Sequence, residues 1–94
     1  MNAKEFLANA LPEWLLIHKD LQRSMPPVTK TTFVKRLREN AIAVSSLLEK
    51  EGEIVQAQLV AEYAKELTKY AAAPALLNPS TVKQLDALLS RISI

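Results

Sequence analysis

The chain has 94 residues, of which 49% are hydrophobic and 23% charged, with one glycine, five prolines and no cysteine. Since a domain usually has roughly 100–150 residues, this length suffices for one hydrophobic core and not for two. We therefore predict a single helical domain over residues 1–94. The composition excludes collagen, low-complexity disorder, disulfide scaffolds and thiolate metal sites, because each needs residues that are nearly or wholly absent.

The sequence predicts neither a secretory leader nor a membrane span. Lys4-Glu5 and Pro12-Glu13 interrupt the apolar residues near the N-terminus, so the apolar centre of a signal peptide cannot form. No window approaches the roughly 18–20 uncharged apolar residues that cross a bilayer. The lack of cysteine suits a reducing compartment. We expect a cytoplasmic protein with no membrane partner.

Leucine and alanine dominate the hydrophobic residues, and a single glycine leaves few hairpin turns for strands. This predicts an all-α fold, a small bundle of three to five helices. The first helical stripe extends from about residue 2 to residue 24 and includes His18. Its apolar members are Leu7, Leu11, Trp14, Leu21 and Met25. Pro12 interrupts it, so we predict one piece ending near Ala10 and another starting at Pro12, with a single kinked helix as the alternative.

The second helix is expected after a proline-rich connector, residues 24–28, which cannot be helical because each proline restricts the residue before it. Thr29 or Thr31 is the predicted N-cap, whose hydroxyl accepts a backbone N–H bond. Apolar residues follow at helical spacing: Phe33, Leu37, Ala41, Val44 and Leu48. This stripe defines the predicted core helix.

Gly52 marks the predicted turn of a central helix hairpin. At 100° per residue, the apolar face rotates by about 120° between Leu48 and the next stripe at Val60, so a straight helix would point its halves at different neighbours. One long helix through Gly52 is the alternative. The acidic residues Glu49, Glu51 and Glu53 surround this glycine and make the predicted tip acidic.

The third helix has the apolar row Val60, Tyr63, Leu67 and Tyr70 and ends before Pro74. Asn78 and Pro79 then predict the cap and first turn of a terminal helix. The apolar residues of this last helix are Val82, Leu85, Leu88, Leu89 and Ile92.

The third helix also carries small residues at helical spacing, which allow another helix to approach closely. With its bulky row, this helix is apolar around much of its circumference, more than one small domain is expected to cover. We therefore predict an interface with another protein or a second copy of the chain, in a homodimer. Its residues are Ala57, Ala61, Ala64, Thr68, Ala71, Tyr63, Tyr70 and Trp14. A contact within one chain is the alternative use of the small residues.

A basic cluster at the start of the second helix gives a rival function. Lys30, Lys35, Arg36 and Arg38 precede the first acid of that helix. A helix, a short turn and a base-rich helix outline a helix-turn-helix, so a small nucleic-acid-binding regulator is the alternative prediction. The turn lacks the usual glycine, and a net charge of +2 is too small to indicate nucleic acid by itself.

Residues for catalysis or cofactor binding are few. One histidine and no cysteine offer little acid, base or nucleophile chemistry, and a metal site needs several ligands. One glycine cannot form a phosphate-binding loop. We predict no enzyme activity and no cofactor, and we predict that His18 and Trp14, four residues apart, are packed and share a neighbour. The leading functional hypothesis is a non-enzymatic protein interaction module.

Overall fold

A computed structural model describes residues 2–92 and contains four α-helices. These are α1 (Ala3–Leu21), α2 (Pro27–Lys50), α3 (Ile54–Ala72) and α4 (Pro79–Ser90), with a short 3-10 turn at Pro74–Leu76. The described residues contain no β-strand. The predicted all-α bundle with a hairpin around Gly52 is confirmed.

Helix α1 is one continuous helix, so the predicted break at Pro12 is wrong. The Asn2 side chain caps it by accepting from the Glu5 backbone N–H at 2.9 Å. A proline inside a helix costs about 3 kcal/mol because it removes a backbone donor and crowds the preceding turn. Leu7, Trp14 and Leu21 are all buried on one side of α1. Each such side chain contributes about 1.5–3 kcal/mol on burial, which outweighs the cost of the proline.

Helix α2 begins earlier than predicted, at Pro27, with Pro26 as its N-cap and no side-chain cap. The predicted N-cap at Thr29 or Thr31 is therefore wrong. Proline suits the first helical position because its missing N–H has no intrahelical partner there. The predicted apolar stripe is buried except at its start, where Val34 takes the core position and Phe33 packs at the edge.

The turn between α2 and α3 depends on Gly52, whose φ of +80° lies in the left-handed region that favours glycine. The Glu53 N–H donates to the Leu48 carbonyl at 2.9 Å, and the Gly52 N–H donates to the Glu49 carbonyl at 3.1 Å. These two bonds form a Schellman motif, which ends α2 and satisfies its last carbonyls. The alternative of one long helix is thereby excluded.

The acidic tip of the hairpin binds the start of α1. Both carboxylate oxygens of Glu51 accept from the Ala3 backbone N–H, at 2.9 and 3.1 Å. Lys4 and Glu53 form an ion pair at 3.5 Å beside them. A carboxylate at a helix N-terminus compensates the unpaired N–H groups and the helix dipole. The turn therefore also fixes where α1 begins.

Helix α3 ends before Pro74, as predicted. The Asn78 side chain caps α4, also as predicted, in a capping box with Thr81. Helices α1 and α4 pack on each other and on the α2–α3 hairpin, and all four helices contribute to one hydrophobic core. The hairpin residues Ile42, Ala61 and Thr68 remain exposed. No helix within residues 2–92 is both long and apolar enough to cross a bilayer.

Candidate functional site

A hydrogen-bonded chain of three side chains crosses the core. His18 on α1 is 0% exposed, its Nδ1 lies 2.6 Å from Oδ1 of Asp86 on α4, and its Nε2 lies 2.6 Å from the hydroxyl of Tyr63 on α3. No described buried side-chain nitrogen or oxygen lacks a hydrogen-bond partner. One imidazole thus links three helices.

The protonation states follow from burial. Burial lowers the pKa of His18, and the hydrogen bond and negative charge of Asp86 oppose that shift without overcoming it. Burial and the charge of Asp86 both raise the pKa of Tyr63, so its hydroxyl stays protonated. The 2.6 Å separation between His18 and Asp86 is therefore a hydrogen bond from a neutral ring. Nδ1–H donates to the carboxylate, and Nε2 accepts from the Tyr63 hydroxyl.

Trp14 extends this network toward α2. Its ring stacks on Tyr63 with centroids 5.4 Å apart, and its Nε1–H donates to Oδ1 of Asn40 at 2.8 Å. The ring of His18 lies 5.7 Å from that of Tyr63. Trp14 and His18 thus share Tyr63 as a neighbour, and both are buried within one chain.

The order of carboxylate, imidazole and hydroxyl is the one that activates nucleophiles in hydrolases. Here the hydroxyl belongs to Tyr63, which is 0% exposed, and its hydrogen-bond partner His18 is also 0% exposed. A substrate atom would have to enter the core to reach it. The geometry is that of a group that positions helices. Among residues 2–92, no three carboxylates or imidazoles are grouped as a metal site.

Most residues predicted at an interface lie inside the fold. Trp14, Ala57, Tyr63, Ala64 and Tyr70 are all buried by the chain itself. The expectation that one small domain leaves the third helix uncovered is therefore wrong for Ala57, Tyr63, Ala64 and Tyr70, because the other helices pack on α3 and cover them. Trp14, on α1, is buried in the same core. Ala61 and Thr68 are exposed, and Ala71 is half-buried.

The small residues of α3 line an open groove between α2 and α3, which we call the hairpin groove. One part, of about 280 Å³, is lined by Ile42, Ser45, Ser46, Ala61, Ala64, Lys65 and Thr68. The other, of about 160 Å³, is lined by Ser45, Glu49, Ile54, Ala57, Gln58 and Ala61. Both parts are lined by Ser45 and Ala61, so the two parts adjoin with these residues between them.

The hairpin groove exists because the small residues bring α2 close. The Ser45 hydroxyl donates to the Ala57 carbonyl at 2.8 Å across the two helices. Where small side chains face outward, the surface between the helices stays shallow. Ile42 and Ile54 flank it and are 51% and 48% exposed. The small-residue pattern therefore serves the contact within one chain and also leaves an apolar depression on the surface.

The four predicted nucleic-acid contacts do not gather on one face. Lys30 is half-buried and donates through Nζ to the Leu77 carbonyl at 3.2 Å. Arg36 lines a cleft against α1 together with Glu13 and Trp14. At 100° per residue, Lys30, Arg38, Lys35 and Arg36 lie at about 0°, 80°, 140° and 240° around α2. Lys30, Arg38 and Lys35 thus span about 140° of the helix, and Arg36 lies outside that arc.

Several structural residues were missed from the sequence. Asn40 and Asp86 lie on predicted polar faces, where nothing marks them as partners of core residues. Another open cleft, of about 470 Å³, lies between α1 and α4 and is lined by Pro12, Leu15, Leu16, Lys19 and Asp86. Its only signal in the sequence is two leucines outside the predicted stripe of α1.

The chain matches no protein-family model, and no curated protein or solved structure is significantly similar to it. Its surfaces and core are therefore the basis for a functional proposal.

Proposed function

We propose that this protein is a non-enzymatic interaction module that binds an apolar helical surface in the hairpin groove. The observation that carries the proposal is the exposure of Ile42 and Ile54 beside Ala61 and Thr68, small residues of the groove that no described helix covers. Helix-in-groove recognition uses this combination of a shallow apolar floor and larger apolar flanks.

The dimensions and chemistry of the groove favour a helix over a small ligand. Small side chains such as Ala61 allow close approach of a helix backbone, and ridges of an incoming helix settle between rows of side chains. Full burial of a large apolar side chain contributes about 1.5–3 kcal/mol. Ile42 and Ile54 are each about half exposed, so covering both contributes about as much as burying one such side chain.

The rival functions have weaker support. Nucleic-acid binding would need the basic side chains of α2 on one surface, yet Lys30 donates to the Leu77 carbonyl and Arg36 lies about 100° or more around the helix from the other three bases. Catalysis through Tyr63 would need access to a hydroxyl that the core encloses. We further propose a cytoplasmic location, supported by the absence of cysteine.

Site-specific photocrosslinking in cells that produce the protein tests the proposal. A photoreactive residue at Thr68, in the groove, should give one discrete protein adduct, whereas the same residue at Ala87, exposed on α4, should give none. In the chain with the photoreactive residue at Thr68, the further substitution Ala61→Glu should abolish the adduct while the helical circular dichroism of the protein stays unchanged. No adduct at Thr68, or equal adducts at both positions, overturns the proposal.

A further inference from the structure

We propose that the occupant of the hairpin groove is the same groove of a second copy of this chain. The two copies are related by a two-fold axis that crosses the groove at its middle, at Ser45 and Ala61. This inference rests on the proposed function and names the partner.

The inference of a second copy is based on two charged residues that line the hairpin groove. Glu49 lines the part nearest the turn, and Lys65 lines the part farthest from it. Glu49 is four residues from Ser45 along α2, and Lys65 is four residues from Ala61 along α3. At 1.5 Å per residue, each charge lies about 6 Å from the middle, in opposite directions because the helices are antiparallel.

A two-fold axis across the groove turns the second copy end for end. The partner subunit's Glu49 then lies at the end that carries Lys65, and the partner subunit's Lys65 lies at the end that carries Glu49. Two reciprocal ion pairs result from one contact, as a self-complementary interface requires. The apolar flanks of both copies cover each other's floor in the same arrangement.

Both charges are free to make these pairs. Neither Glu49 nor Lys65 forms an ion pair with another described residue. Glu51 and Glu53, in the same turn, are instead occupied by the start of α1. An unrelated partner would need an acid and a base at the matching spacing and in the opposite order, and this chain already carries them.

Charge reversal with the full chain tests the arrangement. Glu49→Lys alone and Lys65→Glu alone each replace two attractive pairs by two repulsive ones. Sedimentation equilibrium should show about a tenfold rise in the dimer dissociation constant for each variant, since exposed pairs are individually weak but act here in duplicate. The double variant, in which both pairs are restored with reversed sign, should dimerise like the wild type.

Mixing the two single variants gives the sharper result. One subunit then carries two bases and the other two acids, so a heterodimer should form at concentrations where each variant alone is monomeric. Glu39→Lys and Lys83→Glu reverse exposed charges outside the groove and should leave the dissociation constant unchanged.

A wild-type chain that stays monomeric at 100 μM, or a mixture that stays monomeric, overturns the second-copy inference. The same holds if the control reversals weaken the dimer as much as the groove reversals do. A Thr68 adduct whose mass differs from twice that of the chain also overturns it, while leaving the groove-binding proposal in place.

Discussion

The hydroxyl of Tyr63 donates to Nε2 of His18 at 2.6 Å, and this bond joins α3 to α1 while the imidazole is neutral. A protonated ring has two donors and no acceptor, so Nε2–H would donate to the Tyr63 oxygen, and the buried proton of the Tyr63 hydroxyl would lose its acceptor. The opposite nitrogen donates to Asp86, which ties α4 to the same ring. The bundle is therefore coupled to the protonation of one side chain.

Acidification from pH 7 to pH 5 should destabilise the fold through His18. The pKa of this group is 6.5 in the unfolded chain, and burial lowers it in the fold. Below about pH 6.5 the unfolded state binds more protons, so the free energy of unfolding falls as the pH falls, until the folded-state pKa is reached. The slope contributed by one such group is at most about 1.4 kcal/mol per pH unit.

Urea unfolding of the wild type and of His18→Gln at pH 7, 6 and 5 measures this effect. The variant lacks the titrating ring, so its unfolding free energy should change less over this interval. Equal declines in both proteins would show that other groups cause the pH dependence.

Truncation of Trp14 should be severe. Trp14→Ala removes a buried ring that stacks on Tyr63 and leaves Asn40 without its donor. Such changes cost roughly 3–5 kcal/mol, a large share of the stability of a small domain. Leu16→Ala, on the same helix at a position 60% exposed, is the matched control and should change the free energy of unfolding by less than about 0.5 kcal/mol. Similar losses in both variants would contradict the burial of Trp14.

The sequence was most informative where a local rule determines the structure. Gly52 marks the turn because a left-handed residue is needed there, and Asn78 marks the start of α4 because its side chain can cap. Pro12 was misleading because the local rule for proline does not include the tertiary burial of Trp14 and its neighbours. Tertiary packing decided that position.

The candidate groove was only partly predictable, for a geometric reason. Helical spacing places Ala57, Ala61 and Ala64 on neighbouring positions of one helix, but it does not say which element covers each of them. The sequence does not identify the partners of His18 for a similar reason, since Tyr63 and Asp86 lie 45 and 68 residues away along the chain. Only the packing of α3 and α4 against α1 brings them together.

Glu51 should stabilise the protein by anchoring the start of α1. Glu51→Gln keeps an oxygen acceptor for the Ala3 N–H but removes the negative charge beside the helix N-terminus, and the loss of such a charge costs about 0.3–1 kcal/mol. Glu39→Gln, an exposed acid in the middle of α2, is the control and should be nearly neutral. Thermal unfolding measures both variants. The interpretation fails if the control lowers the melting temperature as much as Glu51→Gln does.

Two alanines of α3, one turn apart, should separate folding from association. Ala64 is 5% exposed where α3 packs on α2 at the base of the hairpin groove, so a glutamate there would force the two helices apart or hold its carboxylate in a largely desolvated position, at a cost of several kcal/mol. Ala64→Glu should therefore lose its cooperative urea transition and most of its helical circular dichroism. Ala61 is exposed on the floor of the hairpin groove, so Ala61→Glu should keep the cooperative urea transition and the helical circular dichroism.

The carboxylate that Ala61→Glu introduces nevertheless obstructs the groove and should make the protein monomeric in sedimentation equilibrium. A folded Ala61→Glu protein that associates like the wild type would show that the groove is not the contact surface, whereas a folded Ala64→Glu protein would contradict the packing of α3 on α2.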